Sequence, residues 1–392
     1  WDRGLHVATG DVSVALGLPL DLLVEATGHP EFGARHARLA IEAGLHVALA
    51  SKEVDSVVGS ELARLAQQRG RVVTPVDGDQ PALLIGLISW AQTLGLQVIA
   101  AGKSSEYDFV FDAARSEISS NGIAVPVPGF ASLWELGGRD IAALARERSS
   151  ACAALPQRAV PDLCELLVVA NSTGLTVDHQ SLHAPIARIT EVATAFATKS
   201  EGGLLSHSAT LDVFHCLRTP DEISLAGGVF IIVRCDDAET WALLREKGHL
   251  ISRDGKRAML PIPRHLLGLE AATSVLDAVV HGLSSGAQQP RPVLDLVARA
   301  TQTLHAGSLL EMGGHHHTIA GTAAELQPAA PLGDDQAVPF YLAANRRLAR
   351  DVTAGQLICL ADIEIDADSE LLALRRAQDD AFFSQSLPAL AA

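Results

Sequence analysis

Neither a CxxC nor an HExxH pattern occurs in the 392 residues, which removes the commonest zinc arrangements. The five cysteines, Cys152, Cys164, Cys216, Cys235 and Cys359, are scattered and odd in number. They read as reduced thiols of a cytoplasmic protein rather than as a disulfide framework. No run of about 18 apolar residues is present, so no membrane span is expected. The opening "WDRGLHVATG" lacks the basic start and apolar core of a signal peptide. Basic residues are in deficit: the formal charge of −16 argues against nucleic acid or an anionic membrane as partner. Lysines number only five, which narrows the choice of a lysine acid or base.

What the chain does have is apolar bulk, 48% hydrophobic against 19% charged residues, as in a well-buried globular enzyme. Its length predicts two or three domains. "DLLVEATG" is an apolar run ending at Gly28, the pattern of a parallel strand buried on both faces. Pro30 and Glu31 suit a first helical turn, and Gly44 a stop before the strand "HVALAS". A helix over Ser60 to Arg69, then "RVVTPV" and "LQVIAAG", continue the rhythm and predict a doubly wound parallel sheet. Ligands of such sheets lie beyond the strand C-termini, here at Ala26, Thr27 and Gly28, at Ser51 and Lys52, and at Asp77, Gly78 and Asp79. A sheet of this type without a cofactor is the plainer alternative.

The G-x-G-x-x-G turn that cradles a pyrophosphate is absent from the first strand–helix junction. Only about 20 residues precede the first clear strand, short of the 30 or more of a βαβ unit. The expectation is therefore an upstream strand, glycine-rich turn and helix before Trp1.

"VEATGHPEFGARHARLAIEAGLHVALASKE", "PVDGDQPA", "VIAAGKSS", "DLCELLVVANSTGL", "EGGLLSHSATLDVFHCLRTPDE" and "GGHHHTIAG" together resemble the homoserine dehydrogenase superfamily. More closely they resemble its branch with a C-terminal SAF domain, which includes deoxyxylulose-phosphate reductoisomerase-like enzymes. The resemblance implies a Rossmann-type cofactor half over 1–103 and an α+β substrate and dimerisation domain over 104–290. A SAF-like β-clip module and tail would follow over 291–392. It also implies an NAD(P)-dependent oxidoreductase, NADP or NAD as cofactor, a small-molecule substrate, and a homodimer or larger homo-oligomer. The reductoisomerase version would add a divalent cation to grip vicinal oxygens. A non-catalytic ligand-binding or regulatory scaffold and a dehydrogenase of specialised metabolism are the rival readings.

Carbonyl reduction needs alignment, a group that polarises the oxygen, and a proton. Lys103 and Lys52 fall at predicted strand ends and are the lysine candidates, Lys103 before Lys52. Asp77 and Asp79 could bind a substrate hydroxyl or a metal ion, and an Asp/Gly turn explains the same letters. Asp162 and Glu165, three apart, share one face of a helix that Gly174 ends. The related helix of homoserine dehydrogenase carries an Asp and a Lys that act on substrate. Here Asp162 keeps the acid while Glu165 or Leu166 stands near the lysine position, which puts homoserine in doubt.

Asn171 and His183 complete the candidate substrate contacts. His315 and His317 alternate faces if extended, so they could share a metal with a distant carboxylate, or form an active-site edge or a packed turn. "HLLGLEAATSVLDAVVHGL" reads as one long helix, and "TLHAGSLL" is echoed by "DVTAGQLI", a repeat that suggests paired short strands.

Overall fold

The computed structural model describes residues 8–234, 236–266 and 268–384, so Trp1, Cys235 and the last residues of the tail lie outside the description. The first layer is a three-stranded parallel sheet of β1 (Leu22–Glu25), β2 (His46–Leu49) and β3 (Val73–Pro75). Between them run α1 (Pro30–Glu42) and α2 (Lys52–Gln68). Proline at the start of α1 costs no hydrogen bond, and Ala34, Ala37, Ala40 and Ile41 bury one stripe at helical spacing. Strand β2, apolar on both faces, is fully buried. Strand β1 is not: it pairs only with β2 among the described residues, and Val24 is 50% exposed. Helix α2 begins well before the expected Ser60, because Glu53 and Asp55 meet its N-terminal dipole.

The predicted alternation stops at β3. After α3 (Gln80–Thr93), the strand β4 (Val98–Ser104) joins a different, mixed sheet of ten strands. There β4 lies parallel to β5 (Thr210–Arg218) and antiparallel to β6 (Val229–Arg234). The segment Val229 to Val233 has no exposed surface, which explains its run of β-branched and aromatic residues. Beyond β6 the sheet continues through Arg257–Ile262 and Leu250–Ile251; beyond β5 it continues through Phe109–Asp112, parallel to β5, and then antiparallel through Glu117–Ser120 and Ile123–Pro126. Helix α4 (Ile141–Ala151) and helix α5 (Val160–Thr173) follow, the latter ended by Gly174 at φ 76°.

The expected long helix after His265 is broken. It is a short helix, Ala271–Leu276, that widens into a π-turn over Asp277–His281, and the residues just after it touch β3. Ser284 Oγ donates to the Val73 carbonyl at 3.1 Å, and Ser285 N to Thr74 Oγ1 at 2.9 Å. In the C-terminal part, Leu294–Ala300 pairs antiparallel with Thr322–Pro328. The two repeat copies pair with each other: Leu304 and Val352 exchange both backbone hydrogen bonds at 2.9 Å. Each copy turns at a left-handed glycine, Gly307 at φ 80° and Gly355 at φ 88°. Helix α6 (Glu370–Phe383) then returns to the first layer, where Gln378 bridges Val57 and Glu61 of α2. Among the described residues no helix is long and apolar enough to cross a membrane.

One contact fixes the centre of the mixed sheet. A Cβ at Gly102 would lie 1.9 Å from the Asp212 carbonyl oxygen on β5, so only glycine lets these strands approach. Gly102→Ala is expected to cost at least about 1–3 kcal/mol through overpacking. Urea unfolding checks this; an unchanged midpoint would contradict so close an approach.

Candidate active site

Lys103 lies inside β4 rather than beyond it, and its side chain has 0% exposure. An ammonium group without water must be matched by carboxylates, because burying it alone would cost several kcal/mol. Helix α5 supplies two from its first turns. Lys103 Nζ is 2.8 Å from Asp162 Oδ1 and forms a short ion pair with Glu165. The spacing of three residues aims both acids at the same point, as the sequence implied. Glu165 is shared: its other oxygen lies 3.1 Å from Nζ of Lys52, the first residue of α2. Lys52 in turn sits 3.1 Å from Asp79, the residue capping α3, and Asp79 lies 3.5 Å from His265 Nε2. Ser105 donates to Asp162 at 2.9 Å and closes the other end.

The result is an alternating line of charges, Asp162, Lys103, Glu165, Lys52 and Asp79, that joins β4, α5, α2 and α3. Burial pushes both lysines toward losing their protons, but the carboxylates outweigh it and hold each above its ordinary value. For Asp79 burial acts upward, and the His265 hydrogen bond with the Lys52 charge outweighs it, leaving the acid below its usual range. The two lysines differ in access. Lys103 is sealed, whereas the Lys52 side chain keeps 21% of its surface. The lysine first expected to meet a carbonyl is therefore the inner one, and Lys52 is the one a ligand can reach.

The strand-end residues of the first layer come together as a rim. Gly28 N donates to Ser51 Oγ at 2.8 Å, tying the ends of β1 and β2, and Thr27 Oγ1 donates to Glu25 at 2.6 Å. Gly28 has φ 65° with open space where a Cβ would point. Gly28 thus borders a cleft of about 800 Å³ whose lining includes His29, Phe32, Arg35, Tyr341 and Arg346. Tyr341 is buried; its hydroxyl meets His317 Nδ1 at 3.0 Å. Gly78, at φ 82°, lies under the Leu266 carbonyl.

Four expectations change. Asp77 and Asp79 do not converge: Asp77 turns to Ser274 and Ser285, with its carboxyl raised chiefly by burial, while Asp79 faces Lys52. Asn171 is a structural acceptor, its Oδ1 taking the Val293 and Leu294 N–H groups at 2.7 and 3.2 Å. His183 is turned away from the lysines, its Nε2 2.7 Å from Asp178. His315 and His317 also part company, His315 pairing with Glu106 at 2.6 Å. Among the described residues no group of three or more His, Cys, Asp or Glu is placed to hold a metal ion.

Sequence reasoning missed Ser105, His265 and Tyr341. Ser105 follows Lys103 closely enough to be found; the others come from distant segments with no local signal.

Comparison with known proteins finds similarity over part of the chain. Residues 160–271 match the family model described as the catalytic domain of the oxidoreductase DRL, a span that holds Asp162, Glu165 and His265. Comparison with curated proteins finds no match. Among solved structures, the chain is similar to biliverdin reductase from Synechocystis sp. PCC 6803 in complex with biliverdin and NADP+, at 23% identity and a TM-score of 0.17. That match covers 26% of this chain and 32% of the other, so the chain spans about a third of that structure's length. It is also similar to an oxidoreductase from Bacillus cereus at 13% identity, covering 72% of this chain and 77% of the other with a TM-score of 0.33.

Behind Asp162, His215 donates from Nε2 to the Gln157 carbonyl at 3.0 Å and packs on Phe109. Burial pushes its imidazole down to about 4. The unfolded chain then takes up a proton that the folded one refuses. This contribution to stability is full above pH about 6.5 and is lost as pH falls toward 4. An NMR titration should show the His215 ring still neutral at pH 5; protonation near 6.5 would contradict the buried placement.

Proposed function

We propose that the chain is a nicotinamide-dependent oxidoreductase moving hydride to or from a small polar carbonyl or hydroxy compound. The observation that carries the reading is the buried lysine–carboxylate line, centred on the segment that matches an oxidoreductase catalytic domain. The open left-handed Gly28 and the Gly28–Ser51 tie leave a rim beside the large cleft, which suits the flat face of a nicotinamide. Ala26, Thr27, Gly28 and Ser51 are the residues that would hold it, while Gly78 is covered by Leu266. When bound, the cofactor, NADP or NAD, supplies or accepts the hydride.

Lys52 is the group placed to polarise the carbonyl oxygen and give it a proton. Asp79 and Glu165 fix its Nζ from two sides, and Lys103 holds Glu165 in place. Lys103 is thus a positioning residue. Asp162, held by Lys103 and Ser105, offers an acceptor for a substrate hydroxyl. A reductoisomerase of the deoxyxylulose-phosphate type is the narrower version. Its divalent cation would have to displace a lysine from Asp79, Glu165 or Asp162, since each carboxylate is already paired. The paired Ala-Gly repeat fits a SAF-like module at the C-terminus, and the resemblance favours a homo-oligomer.

NADPH and NADH fluorescence on mixing with the full chain tests the cofactor, and no change with either would sink the reading. Lys52→Met is expected to lower turnover about 10²–10⁴-fold, the usual share of a general acid, with cofactor affinity unchanged. Lys103→Met strands two buried acids and should cost about 3–5 kcal/mol of stability as well. Near-normal turnover in Lys52→Met would show that another group supplies the proton.

A further inference from the structure

Arg158 precedes α5 and lies in the wall between two hollows. One is an open cavity of about 670 Å³, lined by Arg146 of α4, Arg158, His183 and Lys199, with Asp140 as its acid. The other is a small hollow lined by Arg158, Ser105, His215 and His316. The second reaches the charge line directly, through Ser105 and Asp162 at 2.9 Å. Its wall holds an unanswered group: His316 Nε2 is buried and has no hydrogen-bond partner among the described residues.

The three basic residues are free to take a ligand. Arg158 donates from one guanidinium nitrogen to the Gln157 carbonyl at 2.6 Å, and Lys199 donates to Ser206 Oγ at 2.9 Å. Neither these two nor Arg146 makes an ion pair with a carboxylate among the described residues. In a chain of net charge −16, three cations gathered on one cavity mark a local reversal of the field. The floor is built at a cost. Leu182 and Ala184 hold left-handed backbone at φ 61° and 43°, a conformation that β-carbon sterics disfavour. Buried Asp212 pins that turn by accepting the His183 and Ala184 N–H groups at 3.1 Å.

We propose that this cavity is the subsite for a carboxylate of the substrate, docked on Arg158 between Arg146 and Lys199. A guanidinium fork pairs two carboxylate oxygens at once. The charges of Asp212 and Asp162 already draw on Arg158, and Asp140 stands on the cavity wall. A singly charged carboxylate meets half the repulsion from these acids that a phosphate dianion would.

That the bound molecule is a substrate rests on the oxidoreductase reading; the binding itself does not. Calorimetry of the full chain at low salt, with propionate and inorganic phosphate as probes, tests it. Propionate should bind, Arg158→Gln should weaken it at least about tenfold, as loss of a bidentate charged pair does, and Arg146→Gln and Lys199→Gln should weaken it less. Arg347→Gln, an exposed arginine elsewhere, should change nothing. Absence of propionate binding, equal affinity in Arg158→Gln, or phosphate binding more tightly than propionate would each overturn the subsite. A chain that oxidises NADPH but fails these measurements loses only the subsite. One that passes them without binding a nicotinamide loses only the oxidoreductase reading.

Discussion

An ammonium group with no water around it organises this molecule. Lys103 stands on the mixed sheet, its two acids on α5, and through Glu165 the same charge reaches α2 and α3 of the parallel layer. None of these elements can shift without leaving a buried charge uncompensated, a penalty larger than most single packing contacts. The line of alternating charges therefore sets the relation between the layers as well as the chemistry at their junction. Apolar packing could hold the layers together, but it would not fix the distance between two lysines and one shared carboxylate.

The parts legible in the sequence were those with a local cause. Strand β2, the α1 stripe and the Gly174 stop follow from apolar spacing and glycine geometry over a few residues. Asp162 and Glu165 could be read as one face because three residues span most of a helical turn. Sheet membership is a long-range property, and there the reading went astray. "LQVIAAG" has the letters of a fourth parallel strand, yet β4 pairs across more than a hundred residues with β5 and β6. The same holds for the lysines. Their positions suggested two exposed strand ends, and only the third dimension shows one sealed and one open.

The histidine triplet illustrates how one short turn serves several neighbours. His315 reaches Glu106, the His316 carbonyl receives the Val160 N–H at the start of α5, and His317 meets Tyr341. His317 itself sits at φ 50°, a conformation disfavoured for a side chain of this size. The turn thereby clamps the C-terminal part onto both the helix that carries the acids and the tyrosine that lines the cleft. Its letters left a shared metal, an active-site edge or a packed turn open; its geometry gives each histidine a different neighbour.

Glu31, at the start of α1, accepts the backbone N–H of Glu370 at 2.6 Å and the Ser369 hydroxyl at 2.7 Å, so it caps a helix that begins 339 residues later. Contacts this remote close slowly, because so much chain must be ordered before they form. During synthesis the Gly28 rim is made before the wall opposite, with Arg346 and Glu370. A ribosome-bound chain would thus carry the first layer with its large cleft still half built. The cleft is then complete only once 339 further residues have followed Glu31.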